Sequence, residues 1–295
     1  MSSVVTQHWF SYGKINWYLD VLDKRADGFT NIETVFQSVS LHDTLAVTPH
    51  EATLLLTCSD DTLEVDESNL VMRAARLLQT HCNCTQGATL HLEKRIPIAA
   101  GLAGGSGNAA ATLVALNEVW HCDLELNSLM ALGAQLGSDV PFCMMGGTAA
   151  ASGRGEILTP LDPVTPQWLV LANPGIPLTA REVYTHPALT RNTASFTGPH
   201  SPGFDAALES LNNIGPSAML FNRMEGPVFS SFPAIEKVRD DLLTAGCSHA
   251  LMSGSGSTCF GLCANEDQAN AVAAQLHHYR CFTAHTVNQG VSKAP

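Results

Sequence analysis

Residues 96–111 read IPIAAGLAGGSGNAAA, four glycines among small residues, set between an alternating stretch and a run with helical character. The stretch before it, TLHLEKRI at 89–96, has the period-two pattern of a half-buried strand. The order strand, glycine loop, helix leaves N–H groups free at a helix N-terminus, where the helix dipole is positive. Such a loop can seat an anion. It can equally serve close packing of a strand on a helix, and the pattern alone supports both readings. Two familiar phosphate patterns are absent. The loop has no lysine for G-x-x-x-x-G-K-[ST], and glycines at 101, 104, 105 and 107 lack the intervals of G-x-G-x-x-G. A second backbone-rich turn, SGSGS at 253–257, joins two apolar stretches. Alone it reads as a hairpin turn. Two such turns in one chain fit a triphosphate held by main-chain amides.

An anion site needs compensating charge, and two residues stand out. Lys14 lies in YGKIN, inside an apolar, strand-like context where an unpaired buried lysine is destabilising. Its ordinary alternative is a surface lysine with a snorkelling stem. Asp139 lies in GSDVPF, between a helix stop and an apolar segment, where capping is the ordinary alternative. If the two meet over the loop, the aspartate can take a proton from an acceptor hydroxyl. The lysine then keeps that carboxylate ionised and steadies the incoming alkoxide. Spacing in sequence does not decide whether they meet.

The chain has 295 residues, 45% of them hydrophobic, enough for one large domain or two ordinary ones. Its net charge of −12 argues against non-specific binding to nucleic acid or anionic membranes. Nine cysteines, an odd number without C-x-x-C, fit reduced thiols in a cytoplasmic protein. His81, Cys82 and Cys84 have the wrong spacing for a zinc knuckle, so no protein metal ligand is assigned. Cys143 and Cys259 read as small core residues. No signal peptide and no membrane span are expected.

Strands are expected over 4–21, as one or two pieces around Lys14, and at 44–47 and 52–58. Residues 69–79 carry a helical stripe. Ser106 or Asn108 is expected to cap the helix after the glycine loop, and Asn127 the next, which stops at Gly137. Residues 144–158 read as a glycine-bearing strand region, WLVLAN at 168–173 as a buried strand, and 198–203 as a surface loop. Pro233 opens a helix ended by Gly246, and Asn265 caps another. The fold class expected is α+β with two domains, 1–160 and 161–295.

These residues together resemble the GHMP small-molecule kinases. PIAAGLAGGSGNAAA is similar to their P-x-x-x-G-L-G-G-G-S-S-[DN]-A-A loop, and MSGSGSTCFG to their C-terminal glycine motif. GKINWYLDV, KRADGFTN, SNLVMRAARLL, QLGSDVPFCMMGGTAAASGRGE, NPGIPL and LTRNT follow in the family's order for members acting on a cytidyl alcohol. The resemblance implies a ribosomal protein S5 domain 2-like N-terminal domain and a ferredoxin-like C-terminal domain, with the site in the cleft between them. It implies ATP, with its phosphates on Pro97, Ile98, Ala99, Ala100, Gly101, Leu102, Ala103, Gly104, Gly105, Ser106 and Gly107, and adenine near Asn69 and Leu70. Lys14 and Asp139 would be the catalytic pair, and Mg²⁺ would bridge the phosphates. Asn16 would hold the alcohol end, Phe29 and Tyr184 would stack on the base, and Thr30 stands where the family has a base-reading histidine. Ala103 replaces a loop glycine, which requires a negative φ there. Arg223 falls in FNRMEG, where the family has N-D-[LF]-E. The expected partner is a small cytidyl alcohol, with no nucleic acid or membrane, in a monomer or homodimer. Two alternatives stay open: a kinase for another small alcohol, and a catalytically silent nucleotide-binding protein of the same fold.

Overall fold

The structure, a computed structural model, describes residues 5–295. Residues 1–4, with Val4 at the start of the first expected strand, lie outside the described residues. In chain order the elements begin β1 (Gln7–Lys24), β2 (Thr30–His50), β3 (Leu54–Cys58), α1 (Leu70–Cys82), β4 (Gly87–Glu93) and α2 (Gly104–Val119). They continue with α3 (Leu126–Leu136), α4 (Val140–Met145), β5 (Thr148–Ser152), β6 (Ile157–Pro160), β7 (Trp168–Asn173), α5 (Ala180–Tyr184) and α6 (Pro202–Asn213). The remainder is β8 (Phe221–Asn222), α7 (Glu225–Ser231), α8 (Pro233–Thr244), β9 (Ala250–Met252), β10 (Cys259–Cys263), α9 (Glu266–Gln275), β11 (Arg280–His285) and β12 (Val291–Lys293).

Two sheets organise the chain. The first runs β12-β1-β2-β4-β3, with β5 also on β2, β6 on β5, and β8 parallel to β1. The second is antiparallel, in the order β11-β7-β10-β9. Helices α1, α2 and α3 cover one face of the first sheet around Leu45, Leu90, Leu78 and Leu113. On its other face Ile15, Trp17, Val35 and Val39 meet Leu169, Leu171 and Phe260 of the second sheet. Trp17 meets Phe260 edge-on, with ring centroids 5.5 Å apart. Val170 and Ala172 point the other way, into a core with Ile235 and Val238 of α8 and Val272 of α9. Because both faces of β7 are covered, it reads as a continuous apolar run rather than an alternation. No helix among the described residues is long and apolar enough to cross a membrane.

Several local expectations are corrected. The segment around Lys14 is one 18-residue strand whose pairing with β2 shifts register at Tyr12/Gly13 and Asn16/Tyr18. The short strand at 44–47 is the end of β2, which is 21 residues long. Its earlier part carries Thr34, Gln37, Ser38 and Asp43, all buried, which obscures the hydrophobic pattern. Gln37 is satisfied by Thr148, whose hydroxyl donates to its side chain at 2.7 Å. Neither Ser106 nor Asn108 caps α2; both lie within it, and Ala103 occupies the cap position without a side-chain bond. Asn127 lies inside α3, whose cap position is Glu125. Met144 and Met145 are helical, in α4. Ser201, expected in a loop, is buried and caps α6 by accepting the Phe204 N–H.

Asn108 is drawn away from capping by Asp43, which is wholly buried. One Asp43 carboxylate oxygen accepts the backbone N–H groups of Arg95 and Ile96, at 2.7 and 2.8 Å. The other accepts the Asn108 amide at 2.9 Å and the Lys94 ammonium. Asn108 in turn donates to the Ser11 hydroxyl at 2.9 Å and accepts from Lys94 at 3.0 Å. One carboxylate thus ties β2 to the end of β4, the start of the glycine loop and the first turns of α2. Replacing Asp43 by alanine leaves a buried ammonium and two backbone donors without their acceptor. We expect Asp43→Ala to cost roughly 3–5 kcal/mol, lowering Tm by on the order of 10 °C in calorimetry.

Candidate active site

An open cavity of about 1200 Å³ lies where the glycine loop, the 253–257 turn, α5 and the β1–β2 turn converge. The loop reaches its position through left-handed backbone at Ala99 (φ 50°), Gly101 (φ 77°) and Ala103 (φ 57°). The requirement for a negative φ at Ala103 is therefore not met, and an alanine bears a conformation that favours glycine. The turn at Ala103 starts α2 abruptly. The N–H groups of Gly104, Gly105 and Ser106 have no protein acceptor among the described residues, and all three residues line the cavity. These are the free donors of a helix N-terminus, facing the open cavity.

The second turn packs directly on the first. Ser253 donates its hydroxyl to the Gly101 carbonyl at 3.0 Å, and the Thr258 N–H donates to the Ala100 carbonyl at 3.2 Å. A Cβ on Gly101 would stand 2.1 Å from the Ser253 carbonyl oxygen. Two side chains that sequence reasoning passed over fix the second turn. Asn222 donates its amide to the Met252 and Gly254 carbonyls, each at 2.8 Å. Asn173 donates to the Thr258 hydroxyl at 2.9 Å. The only sequence signals were the asparagines of FNRMEG and NPGIPL. Beside Asn222, Arg223 pairs with buried Asp20 of β1, which also accepts the Asn192 amide at 3.1 Å.

Lys14 reaches the point where the two turns touch. Its ammonium donates to Asn16 Oδ1 at 2.9 Å and to the Gly101 carbonyl at 3.1 Å. The Asp139 carboxylate lies 3.9 Å away. Asn16 is itself anchored, donating to the Thr34 hydroxyl at 2.7 Å. Lys14 is 5% exposed, so the snorkelling alternative does not apply. Asp139 sits at the head of α4 but makes no capping bond, leaving its carboxylate to Lys14 and the cavity.

The remaining expected residues divide clearly. Asn16, Phe29, Thr30, Asn69, Leu70 and Tyr184 line the same cavity, as do Pro97, Ile98, Ala99, Ala100 and Gly101. Leu102 and Gly107 turn inward: the Leu102 carbonyl accepts the Lys14 N–H at 3.1 Å, and Gly107 packs against Ser11. Asn69 caps α1, accepting the Val71 N–H at 2.9 Å and donating to the Glu64 carbonyl at 2.7 Å. Phe29 stands 51% exposed on a turn held by Asp27, which accepts its N–H at 3.1 Å. That N–H, helped by Arg25, holds the Asp27 carboxyl below its usual range. Burial, with a smaller contribution from Asp139, raises the Tyr184 phenol well above its ordinary range, so it remains a neutral donor.

A family profile described as the GHMP kinases N terminal domain matches residues 69–147, and a second, GHMP kinases C terminal, matches 204–280. A 4-diphosphocytidyl-2-C-methyl-D-erythritol kinase of Synechococcus sp. is 41% identical over 90% of this chain and 88% of its own. The enzyme of that name from Pelotomaculum thermopropionicum is 43% identical, over 89% and 91%. A crystal structure of 4-(cytidine 5'-diphospho)-2C-methyl-D-erythritol kinase superposes with TM-score 0.80 at 35% identity, covering 95% of this chain and 98% of that one.

Two substitutions test the loop. Gly101→Ala forces the two turns apart, and we expect kcat/KM for phosphoryl transfer to fall about 100-fold, as an ångström-scale misplacement does. Ala103→Gly relieves the left-handed alanine, and we expect a stability gain of about 0.5–1 kcal/mol by denaturant titration.

Proposed function

This chain belongs to the GHMP kinases, and on that premise we propose that it transfers the γ-phosphoryl group of ATP to the 2-hydroxyl of 4-diphosphocytidyl-2-C-methyl-D-erythritol, a step of the non-mevalonate route to isoprenoids. Relatives carrying that activity in their names align over about nine-tenths of the chain. The observation that carries the reading is the position of the Lys14–Asp139 pair, beneath the glycine loop and beside the free N–H groups of α2.

In this reading the loop that starts at Pro97 holds the triphosphate, through the free main-chain N–H groups of Gly104, Gly105 and Ser106, and adenine lies toward Asn69 and Leu70. Asn16 fixes the Lys14 ammonium and faces the methylerythritol end. Asp139 takes the proton of the attacking hydroxyl as its oxygen bonds to phosphorus. The bond from phosphorus to the bridging oxygen breaks, and ADP leaves. Lys14 offsets the charge growing between Asp139 and the acceptor oxygen. Phe29 and Tyr184 stack on cytosine. Mg²⁺ suits the oxygen donors of the cavity wall: Ser106 would hold it together with the phosphates, and it would neutralise phosphate charge.

We place the domain division near residue 160. The first sheet takes β1 to β6, and the second takes β7 and β9 to β11, while β8 and β12 cross back to β1. Nine free cysteines suit a reducing cytoplasm, and a monomer or homodimer fits the reading. A different small alcohol is the second reading, prompted by Thr30 on the cavity wall. A panel of cytidyl-methylerythritol, homoserine and mevalonate in an ADP-release assay separates them, and turnover only with homoserine or mevalonate would overturn the first. Asp139→Asn should lower kcat by roughly 10²–10⁴, with ATP binding kept. A loss of only a few-fold would remove Asp139 as the base.

A further inference from the structure

Arg154 lines the cavity beside Phe29, and the phosphoryl-transfer chemistry leaves it unused, as it does Arg181 of α5 elsewhere on the wall. Arg154 lies in the turn between β5 and β6, flanked by left-handed Gly153 (φ 68°) and Gly155 (φ 104°). The turn is locked in place, because the Gly153 carbonyl accepts the Ile32 N–H at 2.8 Å, two residues from Thr30. Glu156 then orients the arginine. Its carboxylate accepts the Arg154 backbone N–H at 2.5 Å and the side-chain Nε–H at 3.4 Å. The guanidinium lies over the Phe29 ring, 4.6 Å from its centroid, and its side chain is 25% exposed. Neither terminal nitrogen has a hydrogen-bond partner among the described residues.

The neighbouring groups offer little to a base edge. Asp27 is engaged by Arg25 and by the Phe29 N–H. Tyr184 is a neutral phenol, and Thr30 presents a single short hydroxyl. Arg154 instead presents two parallel N–H donors on a rigid planar fork. Cytosine carries two adjacent acceptors, O2 and N3, on the edge opposite its sugar. That pair matches the fork. Uracil has a donor at N3, so the same approach sets N–H against N–H.

We propose that Arg154 is the specificity-determining residue of this site, reading O2 and N3 of the cytosine while Phe29 supports its guanidinium from below. The proposal rests on the cytidyl reading of the acceptor. Glu156 acts as a positioning residue: by holding Nε it turns the two terminal nitrogens toward the cavity.

The test is steady-state kinetics of the full chain with 4-diphosphocytidyl-2-C-methyl-D-erythritol and its uridyl counterpart. The unmodified protein should prefer the cytidyl compound roughly 10- to 100-fold in kcat/KM, the range of one bidentate base contact. Arg154→Met should raise KM for the cytidyl compound by about that factor and abolish the preference, with kcat changed about threefold or less. Arg154→Lys keeps the cation over the ring but loses the fork, and should lose the preference as well. KM for ATP should stay constant in both variants, which reports an intact fold. Retention of the cytidyl preference in Arg154→Met or Arg154→Lys would overturn the proposal while leaving the kinase reading standing. If the unmodified chain turned over only other alcohols, the kinase reading would fall first and this inference with it.

Discussion

The geometry of the site depends on one buried carboxylate. Asp43 accepts four hydrogen bonds, from two backbone amides at the start of the glycine loop, from Asn108 and from Lys94. A charge buried this completely is tolerated only when its lone pairs are filled by well-placed donors. Here the donors come from the loop that must be held. The electrostatics of one side chain therefore fix the path of about ten residues that have little side chain of their own. Lys94 comes with it, because a Cβ on Gly104 would stand 3.1 Å from its ammonium. The lysine that a P-loop carries inside its sequence is absent here, and a cation reaches the loop from the preceding strand.

From this anchor the two glycine turns and the lysine form a single unit. Gly101 offers its carbonyl to Lys14 and to Ser253 at once. Lys14 therefore has its position set by the loop it serves, and the loop by the second turn. The cavity draws on both sheets. Asn16 and Lys14 come from the first, while Ser253 hangs from the β9–β10 hairpin of the second. The Trp17–Phe260 contact that joins the sheets lies one residue from Asn16. Packing between the sheets and alignment of the charged groups are consequently the same structural fact.

Much of this was legible in the sequence where local physics decides the outcome. The strand at 168–173, the helix from Pro233 and the Asn265 cap follow from apolar runs, a first-turn proline and a side-chain acceptor. The glycine loop before a helix was readable for the same reason. The misreadings came from long-range demands. Asn108 has every local reason to cap a helix, yet Asp43, far away in sequence, claims its amide. Ala103 accepts a left-handed backbone because the loop must turn there for Lys14 to donate its N–H to the Leu102 carbonyl. Most of β2 escaped notice because its buried polar residues are satisfied by partners on other strands. The meeting of Lys14 with Asp139 had no local signature at all, only the oddity of a lysine among apolar neighbours.

The short strand β12 links the assembly to the far end of the fold. Residues 291–293 pair with β1 three to five residues before Lys14, and Gly290 accepts the Tyr12 N–H while packing against the carbonyl of Cys143 in α4. That helix carries Asp139 at its head. The two groups of the ion pair are thus both braced by a segment made almost three hundred residues after β1 begins. During synthesis the first sheet must wait, lacking one edge, until that segment emerges. In a partly made chain both braces are missing, so Lys14 and Asp139 take their final places late, with closure of that edge.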